Sequence, residues 1–258
     1  MSATHHIDYS TKGMVAVIRL NRPEAMNAMN EQTRLELAHA QAQAESDDTI
    51  RVVVLTGSGS AFSSGTDIKE ASEAAAFDIS VTEYKPLIDA ITQSDKVYIA
   101  AINGFAGGVA LGMAMGADLA VMSENAVIFS PFANVGLVPD GGSSWFLLNS
   151  LGHKRAFQAI AECTKFDAKT CLEVGMVNKV VPEHELFDAA MKWGEELSNK
   201  APLSLKYSKK ILRAAASMSQ QDTARLESEY QNKCITSLDS ANAMKAFLSK
   251  EVPVFIGK

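Results

Sequence analysis

The stretch from Ile99 to Gly142, IAAINGFAGGVALGMAMGADLAVMSENAVIFSPFANVGLVPDGG, narrows the choice of fold more than any other part of the chain. It opens with an apolar run, Tyr98 to Ile102, that is β-branched and short enough for a buried strand. A bend at Gly104, Gly107 and Gly108 follows, and then small and apolar residues from Val109 to Ala117, a buried helix with no polar stripe. The first NH groups of such a helix have no intrahelical partner and sit at the positive end of its dipole. Val109 and its neighbours therefore offer a place to hold negative charge. The plainer reading is that Gly107 and Gly108 merely let the helix approach a neighbouring strand, because one glycine-rich turn is a weak motif.

A second bend adds weight to the first. Val52 to Thr56 reads as a buried strand, and GSGSAFSSGTDIKE, Gly57 to Glu70, follows at once. The chain must turn at Gly57, Gly59 and Gly65, and Thr66 offers another free NH. Two such turns after two buried strands can face each other across the end of one sheet and donate two hydrogen bonds to one oxygen.

The rest of the chain bounds the setting. Its 258 residues suffice for a substantial core in one large domain or two small ones, and 47% hydrophobic content with mean hydropathy near zero is ordinary for a globular protein. A net charge of −6 argues against a nucleic-acid footprint and gives no global attraction to an anionic ligand, so any phosphate contact must be local. Cys163, Cys171 and Cys234 are widely separated and lack zinc-ligand spacing, which fits free thiols in a reducing compartment. No apolar run is long enough to span a membrane, Met1 to Ser10 lacks an apolar signal core, and a cytoplasmic location is expected. His5 and His6 read as a solvated tail, and no metal is expected.

Taken in order, Met14 to Leu20 reads as a strand, Met29 to Ser46 as an amphipathic helix with Leu35, Leu37, Ala38 and Ala42 inward, and Arg51 to Thr56 as a strand. Glu70 to Val81 has weak periodicity and reads as a mobile stretch or an exposed helix. A helix over Glu83 to Gln93 leads into the Val97 to Ile102 strand, and Asp118 to Met122 and Ala126 to Phe129 are short strands. Beyond Ser143 helices dominate: Ser144 to Leu151, Lys154 to Glu162, Ala168 to Val174, Glu183 to Asn199, Pro202 to Ala216, Gln220 to Thr236 and Ser240 to Lys250, with Met176 to Val181 extended. Periodicity alone thus gives an α/β part followed by an α part.

Four ordered segments, RLNRPEAMNAMN, AFSSGTDIKE, AAINGFAGG with its small-residue helix and Asp118, and NVGLVPDGG, resemble the signatures of the crotonase, or enoyl-CoA hydratase/isomerase, superfamily. The resemblance runs from about Asp8 to Lys258. It implies an α/β spiral of ββα units over residues 1–195 and a C-terminal helical region, 196–258, that supports a homotrimer, often paired into a hexamer.

The resemblance also implies chemistry. The substrate is an acyl-CoA whose thioester oxygen sits between two backbone NH groups, here those of Thr66 and Val109, and no cofactor is needed beyond the CoA thioester itself. Enoyl-CoA hydratases of this family use two glutamates, and at the matching positions this chain has Gly112 and Phe132, neither of which exchanges a proton. Asp140 remains. It falls where Δ3,Δ2-enoyl-CoA isomerases have a glutamate and where ring isomerases of phenylacetate breakdown have an aspartate, and one carboxylate suits a 1,3-proton shift. Fatty-acid metabolism and β-oxidation are the setting the first of these implies. The plain alternative for Asp140 is a turn residue, since Pro-Asp-Gly is strong turn chemistry. Aspartate here also matches the nucleophile of 4-chlorobenzoyl-CoA dehalogenases, but those carry tryptophan where this chain has Phe132. A base at this site needs a raised pKa, which Phe132, Val135 and Trp145 are placed to supply, although Trp145 also reads as core packing after the turn.

Carried over in the same way, Ala25, the run Ser64, Gly65, Thr66, Asp67 and Ile68, together with Gly108 and Phe132, line the CoA and acyl path. Phe247 and Lys250 approach it from a neighbouring subunit. Lys69, Lys206, Lys209 and Lys210 are further basic candidates, each equally well explained as a solvated helix-surface lysine. Weak hydratase activity and a non-catalytic acyl-CoA-binding module are the rival readings.

Overall fold

The computed structural model describes residues 5–71 and 80–258. The main sheet has strand order β1-β2-β3-β5-β7-β10, built from β1 (Ile7–Lys12), β2 (Val15–Leu20), β3 (Val52–Gly57), β5 (Val97–Ile102), β7 (Leu119–Ser123) and β10 (Lys179–Val181). Only β1 runs antiparallel to its neighbour, pairing Ile7 with Leu20 and Lys12 with Val15. The central strands are parallel and buried on both faces, which is why they read as continuous apolar runs. In β3, Val53 and Leu55 enter one core while Val52 and Val54 enter the other.

Three successive main-sheet strands each lead through a short turn into a strand of a second sheet. β3 leads to β4 (Ala61–Ser63), β5 to β6 (Phe105–Gly107) and β7 to β8 (Val127–Phe129); β9 (Lys165–Asp167) closes that sheet in the order β4-β6-β8-β9. This is the spiral that the resemblance implies. The larger core fills the space between the sheets and helices α1 (Glu31–Ser46), α3 (Lys85–Thr92) and α4 (Val109–Gly116), and a short α2 (Ile68–Ala71) follows β4. The smaller core lies on the other face of the main sheet, against α7 (Leu186–Ser198) through Leu186, Ala190 and Met191. The helices expected beyond Ser143 are present as α5 (Ser143–Ala161), α6 (Ala168–Glu173), α7, α8 (Pro202–Ala215), α9 (Gln220–Ile235) and α10 (Leu238–Ser249). The break expected inside α5 falls at Gly152 (φ 72°, ψ 164°).

Asp118, at the start of β7, holds α8 to the sheet. Its carboxylate accepts from the Tyr98 NH (2.9 Å), Lys209 Nζ (2.7 Å) and Arg213 Nη2 (2.9 Å). The same two cations reach the Lys96 and Gly116 carbonyls, so one buried acid ties the end of α4 to the C-terminal helices.

Several expectations need correction. His5 is exposed as expected, but His6 is not a solvated tail residue: beside the start of β1, its Nδ1 lies 3.0 Å from Thr33 Oγ1 and 3.2 Å from Asn30 Oδ1, and its NH donates to Glu36. The inward face of α1 carries Thr33, Arg34, Leu37, Ala40, Gln41 and Ala44, whereas Leu35, Ala38 and Ala42 are exposed. Two polar side chains and an arginine on the buried face hide it from a hydrophobicity pattern. Of the second sheet only β8 is expected, as the strand over Ala126 to Phe129; β4, β6 and β9 have three residues each, too few for a periodic pattern, and β4 and β6 lie inside the stretches read as glycine bends. Of the weakly periodic stretch Glu70 to Val81, residues 72–79 lie outside the described residues.

Candidate active site

The two glycine bends meet. They sit at the C-terminal ends of β4 and β6, adjacent parallel strands of the second sheet rather than one end of the main sheet. Gly65 (φ 92°) is so close to the other bend that an added Cβ would lie 2.9 Å from the Gly107 oxygen and 3.2 Å from the Val109 nitrogen. Gly108 (φ 60°, ψ −139°) occupies a conformation open only to glycine and delivers Val109 as the first residue of α4. Val109 NH is therefore an orphan donor at a helix start.

Thr66 is set by a different device. It forms an isolated parallel bridge with Met29, in which the Met29 NH donates to the Gly65 oxygen (2.8 Å) and the Asp67 NH to the Met29 oxygen (3.2 Å). In a parallel bridge those flanking groups make the bonds, so Thr66 turns its own NH to the other edge. That edge faces Gly107 to Val109.

Asp140 stands beside the same helix. The next residue, Gly141, packs on Val109: a Cβ there would meet Val109 Cγ2 at 2.7 Å. The Asp140 carbonyl accepts the Ser143 NH at 3.0 Å, which fixes the turn. Its Oδ1 is buried and has no hydrogen-bond partner, as is Ser143 Oγ. Burial pushes the Asp140 carboxyl up to about 6, from an ordinary value of 3.8, against a smaller opposing pull from its own backbone NH.

The same packing explains Gly112. A Cβ on that residue would lie 2.1 Å from the Gly141 oxygen, so the Asp140 turn occupies the space in which a side chain at position 112 would begin. Phe132 is buried and apolar. Two of the residues expected to shield Asp140 do not: Val135 is 63% and Trp145 46% exposed, the latter stacking edge-on against Phe146 rather than packing in the core. The packing that the structure shows beside Asp140 is that of the Gly141 turn on Val109 and Gly112 of α4.

Of the expected CoA contacts, the structure gathers one group. The Met26 oxygen, one residue beyond Ala25, accepts the Ser64 NH (3.0 Å), and Arg22 Nη1 pairs with Asp67 Oδ2 (3.0 Å). Ala25, Ser64, Gly65, Thr66 and Asp67 thus form one rim beside Gly108, with Ile68 and Lys69 exposed at its end. Phe247 and Lys250 are exposed on α10 and just past it, and take no part in the bonds that tie this rim together. Lys209 is spent on Asp118, and Lys206 and Lys210 on Asp95, so none of the three is a free cation for CoA phosphate.

Sequence reading missed a buried polar group behind Thr66. The Met29 oxygen, besides the Asp67 NH, accepts from Arg34 Nη1 (3.1 Å) and Tyr84 Oη (3.2 Å). Arg34, 4% exposed, also pairs with Glu70 and Glu83 and lies 5.4 Å from the Tyr84 ring centre. Nothing in the local pattern distinguishes Arg34 from a surface arginine of an amphipathic helix.

Comparison with known proteins bears on the same region. A family model described as enoyl-CoA hydratase/isomerase matches residues 10–258. The chain is 32% identical over 250 residues to 1,2-epoxyphenylacetyl-CoA isomerase of Escherichia coli K12, covering 95% of each. It is also 32% identical over 243 residues to short-chain-enoyl-CoA hydratase of Clostridium acetobutylicum, covering 93% of each. Among solved structures, an enoyl-CoA hydratase from Polaromonas sp. JS666 superimposes with a TM-score of 0.91 at 28% identity, over 96% of this chain and 99% of that one.

Proposed function

The chain belongs to the enoyl-CoA hydratase/isomerase family of the crotonase superfamily, and on that premise we propose that it is an acyl-CoA isomerase in which Asp140 shuttles a proton. One observation carries the proposal: the only carboxylate among residues 112, 132 and 140 is Asp140, whose Oδ1 is buried and unpartnered, in a turn packed on the start of α4 through the Gly141–Val109 contact.

The thioester oxygen lies between the Thr66 and Val109 NH groups. As Asp140 takes a proton from one carbon of the enoyl chain, the electron pair moves into the carbonyl and the dienolate oxygen is held by the two donors. The same carboxyl returns the proton two carbons away. A pKa of about 6 keeps enough base at neutral pH while leaving the conjugate acid strong enough to give the proton back. Hydration needs a second acid–base group, and positions 112 and 132 supply none. The CoA moiety runs along Ala25 and Ser64 to Ile68, with Phe247 and Lys250 contributed by a neighbouring subunit of a homotrimer or hexamer in the cytoplasm.

A second reading, a ring isomerase acting on an epoxide or oxepin CoA ester, draws support from the aspartate at position 140 and from the likeness to 1,2-epoxyphenylacetyl-CoA isomerase. Incubation with trans-3-enoyl-CoA, crotonyl-CoA and an oxepin-type CoA ester, followed by absorbance of the conjugated thioester, separates these. Conjugation of the 3-enoyl ester, lost in Asp140→Asn with binding retained, is the expected result. A hydroxyacyl product from crotonyl-CoA overturns it in favour of hydration, and binding without turnover of any ester reduces the protein to an acyl-CoA-binding module.

A further inference from the structure

The two NH donors are secured unequally. Val109 is fixed by its place at the head of a buried helix, whereas Thr66 sits in a short extended segment and is itself held by the bridge to Met29, with the Ser64–Met26 bond two residues before it. The Met29 carbonyl is therefore the post to which this donor is tied. Three donors converge on it: the Asp67 NH, Arg34 Nη1 and Tyr84 Oη. An oxygen with two lone pairs that attracts three donors, two from side chains almost wholly buried, is held far more firmly than a sheet alone requires.

Tyr84 is 2% exposed and reaches this post from the start of α3. Its phenol is also within reach of the Thr66 side chain and feels the charge of Asp140. The Arg34 guanidinium lies over its ring and is itself clamped by Glu70, four residues past Thr66, and by Glu83, next to Tyr84. Removing any one of these polar groups leaves the others buried and underbonded.

We infer that Tyr84 is a positioning residue: with Arg34 it fixes the Met29 carbonyl and so aims the Thr66 NH at the substrate oxygen. This rests on the oxyanion role proposed for Thr66. The phenol touches neither the thioester nor the migrating proton. Its effect is carried through Met29, and it appears as carbonyl polarisation rather than as affinity.

The test reads that polarisation without turnover. A saturated acyl-CoA labelled with ¹³C at the thioester carbonyl is bound to wild type, Tyr84→Phe and Arg34→Lys, and its carbonyl stretch is recorded by isotope-edited infrared spectroscopy beside its Kd. Wild type is expected to shift the band to lower frequency than in water. Tyr84→Phe keeps the ring under Arg34 and is expected to return the band at least halfway toward its free position, with Kd changed less than threefold and kcat down about tenfold, a change of about 1.4 kcal/mol. Arg34→Lys, which keeps the charge and loses the fork, is expected to lie between the two. An unshifted band in wild type defeats the oxyanion reading itself. A wild-type shift that survives intact in Tyr84→Phe overturns the role of Tyr84 alone, and an equal loss of Kd and kcat in that variant assigns the phenol to general packing.

Discussion

Asp118 and Asp140 flank the same helix and have opposite surroundings. Asp118, at the end of α4, spends both oxygens on three donors, two of them cations, and is saturated. Asp140, held against the beginning of α4, has a buried oxygen with no donor at all. The fold had the means to satisfy a buried acid and did so at one end. At the other it left the acid without a cation and one of its oxygens without a donor, where burial raises its affinity for a proton. What separates the structural Asp118 from the aspartate proposed to work is the supply of neighbours.

The largest effect that contrast predicts is on turnover. Asp140→Asn is expected to lower kcat of isomerisation by about 10²–10⁴-fold, the usual contribution of a positioned general base, with substrate affinity retained. Next comes Asp118→Asn, which leaves the buried Lys209 and the partly exposed Arg213 without their acid. It is expected to cost about 3 kcal/mol in urea unfolding while the folded fraction keeps its activity. If the two variants exchanged phenotypes, the contrast would fail.

Gly112→Ala probes the packing that places Asp140. Its Cβ must displace the Gly141 oxygen, so a loss of about 2 kcal/mol of stability is expected together with slower isomerisation. Gly112→Glu is expected to gain no hydratase activity for the same reason. The smallest effect concerns pH. Because the Asp140 carboxyl has a folded-state pKa near 6 against 3.8 in its ordinary state, the native protein binds the proton more tightly, and this group's contribution to stability is lost as pH rises through that window. Asp140→Asn is therefore expected to be more stable than wild type at pH 7–8, by about 1 kcal/mol for a partly buried carboxyl, and indistinguishable near pH 3.5.

The sequence was most legible where one physical demand dominates. Buried parallel strands need unbroken apolar runs, and Val52 to Thr56 and Val97 to Ile102 carry them. Gly65 and Gly108 announce bends because no other residue fits, and Asp140 stands out once Gly112 and Phe132 fail to offer an acid. In the second sheet β8 was legible as the apolar run Ala126 to Phe129, but β4, β6 and β9 left no periodic trace, since pairing with neighbours rather than local preference makes them strands. Arg34, Tyr84 and the Asp118 cluster were invisible for another reason. A buried ion pair is made by residues distant in the chain, and each partner alone looks like a surface residue. The basic candidates Lys206, Lys209 and Lys210 misled in the same way, because their acids, Asp95 and Asp118, lie on other elements.

Deuterium uptake tests the role of Asp140 most directly. Wild type and Asp140→Asn are incubated with 3-enoyl-CoA in D₂O, and the label appearing on the acyl chain is followed by mass spectrometry and NMR across pH 5–8. The account predicts that wild type isomerises the ester at a rate that rises through a limb near pH 6, with deuterium entering only at C2 and C4, the two carbons the proton passes between, as the carboxyl exchanges with solvent, and that Asp140→Asn binds the ester without isomerising or labelling it. Labelling by Asp140→Asn at the wild-type rate would contradict it.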